Sequence, residues 1–375
     1  MIPRNAHRSF YGGMVLSGAM PVYISCELEP ELGIAVAVRA EEIEKLLHLH
    51  NDVGAVFVTS PSYYGTCCDI AGIATVVRRW GKMLLVDEAH GAHFPFHPLY
   101  PNCALKDGAA AVVNGLHKTW PVLTQGACLH LGEGFTNHDR LLAAYSLLTT
   151  TSPSYPLLAS IDLARNFMER EGKSYLDRSL ELSREFKLRM DKLPGLRCYG
   201  DELLQSPGVK AVDPLKVLIG VQGLGLTGYQ VARLLREEHH IQVEMEDQKL
   251  ILAMFSLLHE REDWERFYLA LKELAIRYPA QGGDRSPVYS PPQPRIILSP
   301  RQAFFAASKR VKLAESQGRV AGEMVAPYPP GIPCLAPGEL ITKEVWDYLH
   351  YLKKSEARVQ GPEDPKLEHI KVIEE

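Results

Sequence analysis

The chain has 375 residues, 46% hydrophobic and 23% charged, with a formal net charge of −4. This is an ordinary globular composition, with neither the basic field of a nucleic-acid binder nor an acidic tail. The seven cysteines are odd in number, scattered and without a C-x-x-C pair, which excludes a disulfide framework and a zinc ribbon and points to reduced thiols in the cytoplasm.

In chain order, Pro3-Arg4-Asn5-Ala6-His7-Arg8-Ser9 predicts a loop running into a helix that ends near Gly18, with a short strand at Val22-Tyr23-Ile24-Ser25. The sequence turns polar straight after Met1-Ile2, unlike a signal peptide, and no apolar run reaches the ~20 residues of a membrane span. Glu41 to His50 has amphipathic spacing. Ala55 to Thr59 is a strand that stops at the turn-rich Ser60-Pro61-Ser62-Tyr63-Tyr64-Gly65, and Asp69 caps a helix running to Trp80. The apolar runs Met83 to Val86, Ala109 to Val113 and Ala127 to Leu131 read as buried strands of a mostly parallel α/β sheet.

The hydroxyl-rich stretch from Thr149 to Tyr155 contains Ser154, a helix cap whose neighbours also suit an anion. Ile161 to Leu193 predicts a charged connecting helix. Strands at 217–221, 243–245 and 250–254, with helices at 228–239 and 263–276, make a small α+β unit. Residues 280–294, rich in Gly, Pro and Ser, read as a linker. Beyond it a helix is expected at 302–313 and another at 343–352, with a charged, frayed C-terminal end. The expected division is 1–160, 161–285 and 295–375.

Asp87, His90 and Lys118 stand at strand ends, within Asp87-Glu88-Ala89-His90 after the Met83 to Val86 strand and His117-Lys118 after the Ala109 to Val113 strand, and are expected to meet in one pocket. Ligands of open α/β sheets bind outside such ends. Asp87-Glu88-Ala89-His90 resembles the acidic motif of an ATPase, but no G-x-x-x-x-G-K-[ST] loop exists in the chain. Asp87, His90, His93 and His97 have the donor types of a metal site, yet Pro95 prevents a regular helical histidine pair. Gly223-Leu224-Gly225-Leu226-Thr227-Gly228 spells G-x-G-x-x-G without the acidic strand end that dinucleotide binding needs. The remaining reading is pyridoxal phosphate, which takes a lysine for its aldehyde and a carboxylate for its ring nitrogen. Lys118 and Asp87 supply these, with His7 or His90 available to stack.

Read together, Pro3-Arg4-Asn5-Ala6-His7-Arg8-Ser9, Thr59-Ser60-Pro61-Ser62-Tyr63-Tyr64-Gly65, Val86-Asp87-Glu88-Ala89-His90-Gly91-Ala92-His93, His117-Lys118-Thr119, Thr151-Ser152-Pro153-Ser154-Tyr155 and Tyr328-Pro329-Pro330-Gly331-Ile332-Pro333 with Pro337-Gly338-Glu339 resemble the Orn/Lys/Arg decarboxylase family. These are fold-type I, pyridoxal-phosphate-dependent enzymes of polyamine biosynthesis. The resemblance runs through essentially the whole chain, in order. It implies a PLP-dependent transferase-like large domain with a mostly parallel sheet, a small α+β domain and a C-terminal domain. It further implies that Lys118 forms the Schiff base, Asp87 pairs with the pyridinium nitrogen, His7 stacks on the ring opposite Ala89, and His90 lies beside it. His117 and Ser152 are implied near the phosphate. The implied reaction is decarboxylation of arginine or lysine, ahead of ornithine, to the amine and CO₂, in a cytoplasmic homodimer or higher homo-oligomer that binds neither nucleic acid nor membrane. Glu339 is a candidate for the distal cation of the substrate.

Two features depart from the family pattern. Its members carry, ahead of the segment matching Arg4-Asn5-Ala6-His7, a Gly-Ser-Thr type loop for the cofactor phosphate, and this chain does not contain it. Many also have serine where Gly115 stands. The expectation is an N-terminally short decarboxylase. The alternatives are a truncated or non-catalytic paralogue acting as a binding subunit, and another fold-type I reaction such as transamination.

Overall fold

The computed structural model describes residues 1–279, 292–328, 331–355 and 357–374. Its contacts divide the chain into two units, Met1–Ser25 with Pro287–Glu375, and Cys26–Ser286. The expected linker at 280–294 falls mostly outside the described residues.

The Cys26–Ser286 unit is organised by a four-stranded sheet ordered Ala55–Thr59, Met83–Asp87, Ala111–Asn114, Cys128–Leu131. The first three strands are parallel, with Thr59 beside Asp87 and Asp87 beside Val113. The fourth is antiparallel to the third. The helix Ile70–Arg79 forms as its apolar positions predict: Asp69 accepts from the Gly72 amide, and Ile73, Ala74 and Val77 are buried against the sheet layer.

A second, antiparallel sheet runs in the order Arg197–Tyr199, Lys216–Gly220, Leu250–Met254, Met245–Glu246. The expected connecting helix is two helices, Tyr155–Arg170 and Gly172–Met190, broken at Glu171. The expected boundary near residue 160 is not a boundary between contact units. The strand Val209–Val212 pairs with Thr66–Cys68, and one apolar cluster joins Cys67, Phe94 and Tyr100 to Leu180, Phe186, Val217, Ile251 and Trp264. A continuous core of this kind joins segments on both sides of residue 160 in one packing unit.

Gly65 shows how closely the segments approach. It has φ +92°, and a Cβ there would lie 2.6 Å from Lys216 Cβ. Gly65→Ala is expected to lower stability by about 1–3 kcal/mol through backbone strain alone, with the steric clash adding to it; chemical unfolding curves check this. The 223–228 glycines are likewise explained by packing, since a Cβ on Gly228 would lie 2.1 Å from the Leu250 carbonyl oxygen. Thr227 and Gln230 cap the helix that follows in a reciprocal box.

In the other unit, Ile2–Pro3 pairs with Tyr23–Ile24, and Arg8–Ser17 is the expected helix with Gly18 at its C-cap. Two expectations for the C-terminal segment are corrected. The helix expected at 302–313 is only Pro300–Phe305; Ser308–Lys312 is a strand. The C-terminal end is not frayed, because His369–Ile373 pairs antiparallel with that strand and buries Ile370 and Val372 beside Val345 and Leu349 of the helix Lys343–Lys354. Alternation of buried and half-exposed residues over 369–373 is the strand period, hidden in sequence by flanking charge.

Candidate active site

Asp87 ends its strand buried, 9% exposed, and its Oδ1 accepts from the Ala89 amide at 3.0 Å. A 3₁₀ turn, Leu116–Lys118, follows the neighbouring strand and brings Lys118 over the same edge. Lys118 Nζ lies 3.1 Å from His90 Nε2. Burial pushes the Lys118 ammonium down from the ordinary lysine value, against the opposing pull of the Asp87 and Glu244 carboxylates. Asp87, Ala89, His90 and Lys118 are thus brought together at one sheet edge.

Gly115 leaves that edge open. A Cβ there would stand 3.1 Å from the Ala89 carbonyl oxygen and 3.2 Å from Lys118 Cδ, tighter than ordinary van der Waals contact. His117 is fixed by its Nδ1–H, which donates to the Gly126 carbonyl at 2.8 Å, so in the neutral ring Nε2 carries the lone pair. Ser152 stands on an exposed loop, its amide donating to Thr150 Oγ1 at 3.1 Å. Ser154 caps the next helix, accepting from the Leu157 amide. His7 belongs to the other unit, where it is exposed and caps the Arg8–Ser17 helix with its Nδ1.

The geometry revises one expectation and shows what occupies the histidines already set aside as metal ligands. The histidines that suggested a metal are used otherwise: His93 Nε2 meets Asp213 at 3.3 Å and His97 Nε2 meets Asp177 at 2.6 Å. Glu339, proposed for the substrate cation, is 1% exposed and ion-paired with Arg4, and its Oε2 also accepts from the Ala336 amide at 2.7 Å.

Sequence reasoning missed two residues. Glu88 is 3% exposed; its Oε1 accepts from the Ala104 amide at 2.7 Å and its Oε2 from Asn114 Nδ2 at 3.2 Å. It ties three segments behind the strand ends. Burial pushes its carboxyl up from 4.5 to about 7. A carboxyl held more tightly protonated when folded contributes stability that is fully present below 4.5 and is lost as pH rises through about 7. Glu88→Gln is therefore expected to flatten this part of the pH–stability profile, checked by unfolding midpoints near ~pH 5 and ~pH 8.

The second missed residue is Lys216, 1% exposed at the start of a strand. Its Nζ lies 3.0 Å from His90 Nδ1 and 3.0 Å from Met254 Sδ. The signal in sequence was a lysine heading the apolar run Val217-Leu218-Ile219 after Asp213-Pro214.

A mostly parallel sheet with a buried carboxylate and a lysine at consecutive strand ends defines a fold-type I α/β protein. The comparisons agree. The chain superposes along its full length on a lysine decarboxylase of Francisella novicida (TM-score 0.81, 23% identity, 66% of that chain). It superposes equally on the constitutive lysine decarboxylase of Escherichia coli (TM-score 0.82, 20% identity, 66% of that chain). The chain therefore spans just under two thirds of those structures. In sequence it is 38% identical to an arginine decarboxylase of Bacillus subtilis, covering 100% of this chain and 77% of the relative. Residues 1–263 match the Orn/Lys/Arg decarboxylase major domain, and residues 286–364 match the C-terminal domain. The chain belongs to the Orn/Lys/Arg decarboxylase family, whose members are carbon–carbon lyases.

Proposed function

We propose that this chain decarboxylates a basic amino acid, arginine ahead of lysine and ornithine, with pyridoxal phosphate as cofactor. The observation that carries this reading is the pairing of Asp87 and Lys118 at consecutive strand ends. The 38% identical relative named arginine decarboxylase supports the order of substrates. The donor set fits the cofactor: a buried carboxylate suits a protonated ring nitrogen, and a lysine displaced downward in pKa suits an aldehyde. His90 would lie beside the ring, Ala89 would take one of its faces, and His117 and Ser152 would serve the phosphate. When bound, pyridoxal phosphate supplies an electron sink for the bond to the departing carboxylate.

The chain's own residues do the rest. Asp87 presents a fixed negative charge where positive charge must be held, a preorganised electrostatic contribution. His90 holds the Lys118 amine in place. Glu88 and Asn114 fix the backbone that carries Asp87 and Ala89. Mixing the protein with pyridoxal phosphate is expected to give a visible absorbance band, and adding arginine is expected to release CO₂ and the amine. A keto acid in place of CO₂ would select the transamination reading.

The helix His138–Leu148 buries none of its residues and exposes Leu142, Tyr145, Leu147 and Leu148. An apolar face of this kind supports assembly of copies into a homodimer or higher oligomer, or docking on a full-length homologue as a binding subunit. Among the described residues no helix is long and apolar enough to cross a membrane.

A further inference from the structure

His90 stands between two lysines. Its Nε2 is 3.1 Å from Lys118 Nζ and its Nδ1 is 3.0 Å from Lys216 Nζ. A neutral imidazole has one N–H and one lone pair. It can accept from one ammonium only by donating to the other amine, so two charged lysines cannot both be satisfied by this ring. We propose that Lys118, His90 and Lys216 form a proton relay in which the two lysines share one proton, and Lys216 is a positioning residue that takes up the proton Lys118 gives up. The inference rests on the role given to Lys118 above.

The transfer balances without any other reactant. In one state the Lys118 ammonium donates to Nε2, and the Nδ1–H donates to the neutral Lys216 amine. The Lys118 proton then passes to Nε2 while the Nδ1 proton passes to Lys216. In the second state Lys216 is the ammonium, His90 is neutral with its proton on Nε2, and Lys118 is a free amine accepting from it. Lys118 leaves this step as a nucleophile, and the imidazole is uncharged before and after.

The surroundings suit a shared charge. Lys216 Nζ touches the imidazole, the Met254 thioether and, at 5.2 Å, the face of Tyr63. Cross-strand pairing of Lys216 with Met254 fixes the second contact. Its counter-charges act through space. Asp213 is engaged by His93 and by the Leu215 amide, and Glu244 accepts from the Tyr63 hydroxyl at 2.5 Å. Burial and the charge on Lys118 bring Lys216 down from 10.5 to about 8, against Asp213 and Glu244. Lys118 is lowered in turn by burial, against Asp87 and Glu244. Both lysines therefore give up a proton more readily than an ordinary lysine does. Gly65, which admits the Lys216 stem, is part of the same construction.

The test reads Lys118 itself, without cofactor. The rate at which acetic anhydride modifies Lys118 is followed against pH by peptide mass spectrometry, in wild type, Lys216→Met and Lys216→Arg. With methionine the relay loses its acceptor and its second charge, so the Lys118 midpoint is expected to rise by about one pH unit. With arginine a permanent charge donates to Nδ1, His90 stays protonated on Nε2, and the midpoint is expected to fall below wild type. Opposite shifts are not produced by a merely structural lysine. A midpoint unmoved in Lys216→Met, or moved the same way in both variants, overturns the relay. If Lys216→Met does not fold, Lys118→Met serves instead. By reciprocity the Lys216 Nζ titration, followed by NMR on ¹⁵N-lysine protein, must rise by the same increment, and its failure to move overturns the proposal. Failure of the wild type to bind pyridoxal phosphate would instead remove the proposed function and leave the relay standing.

Discussion

Lys118→Ala is expected to abolish the visible absorbance band that the wild-type protein acquires with pyridoxal phosphate. Decarboxylation should fall by on the order of 10⁴-fold or more, the scale on which loss of a covalent nucleophile acts. The physical basis is the placement of the amine. Lys118 is carried on a short turn directly after a buried strand, held at 3.1 Å by His90, and stripped of enough water to lower its affinity for a proton. Alanine keeps the turn and removes the amine. Far-UV circular dichroism and the unfolding midpoint should stay close to wild type, because the Lys118 side chain is only half-buried and its Nζ contact is with a ring that Lys216 also holds. A retained band in the variant would move the cofactor lysine elsewhere.

Arg4→Ala is expected to destabilise the unit formed by Met1–Ser25 and Pro287–Glu375 by about 3–5 kcal/mol, the cost of leaving one half of a buried ion pair without its partner. Arg4 and Glu339 have side chains only 11% and 2% exposed. Arg4 Nη2 also donates to the Pro333 carbonyl at 3.0 Å, and its guanidinium lies 4.4 Å from the centre of the Tyr23 ring. In the single variant the Glu339 carboxylate keeps only smaller donors such as the Ala336 amide. Replacing both partners by methionine should recover much of the loss, because two apolar groups leave no buried charge behind. Chemical denaturation of the three proteins measures this. If Arg4→Ala alone costs less than about 1 kcal/mol, the pair behaves as a surface bridge and the anchoring role of Glu339 is wrong.

The site was legible to the extent that strand ends are legible. Met83-Leu84-Leu85-Val86 is a short apolar run that stops at Asp87, and the Ala111–Asn114 strand stops just before Lys118, so periodicity alone aligned the two side chains at one edge. The roles of His93 and His97 were not legible, because sequence proximity says nothing about distant partners. Asp213 and Asp177 take those rings from more than a helix length away along the chain. Glu339 failed for the same reason, its partner Arg4 lying at the other end of the sequence. The strand His369–Ile373 was missed because its alternation covers only five residues among charged neighbours.

The sequence by itself determined the family, the placement of Asp87 and Lys118 at consecutive strand ends, the helix caps at Asp69, Ser154 and Gly18, and the central strands of the two larger sheets, because these depend on local spacing and on motifs read along the chain. Only the tertiary structure decided what the buried charges are for. A lysine at the head of an apolar strand becomes the second partner of His90 because its strand faces Met254 and because Gly65 has no side chain to block it. The glutamate of Asp87-Glu88-Ala89-His90 becomes a backbone tie because Ala104 and Asn114 fold over it. A buried ionisable group takes its role from the groups that replace water around it, and those come from segments far apart in the chain.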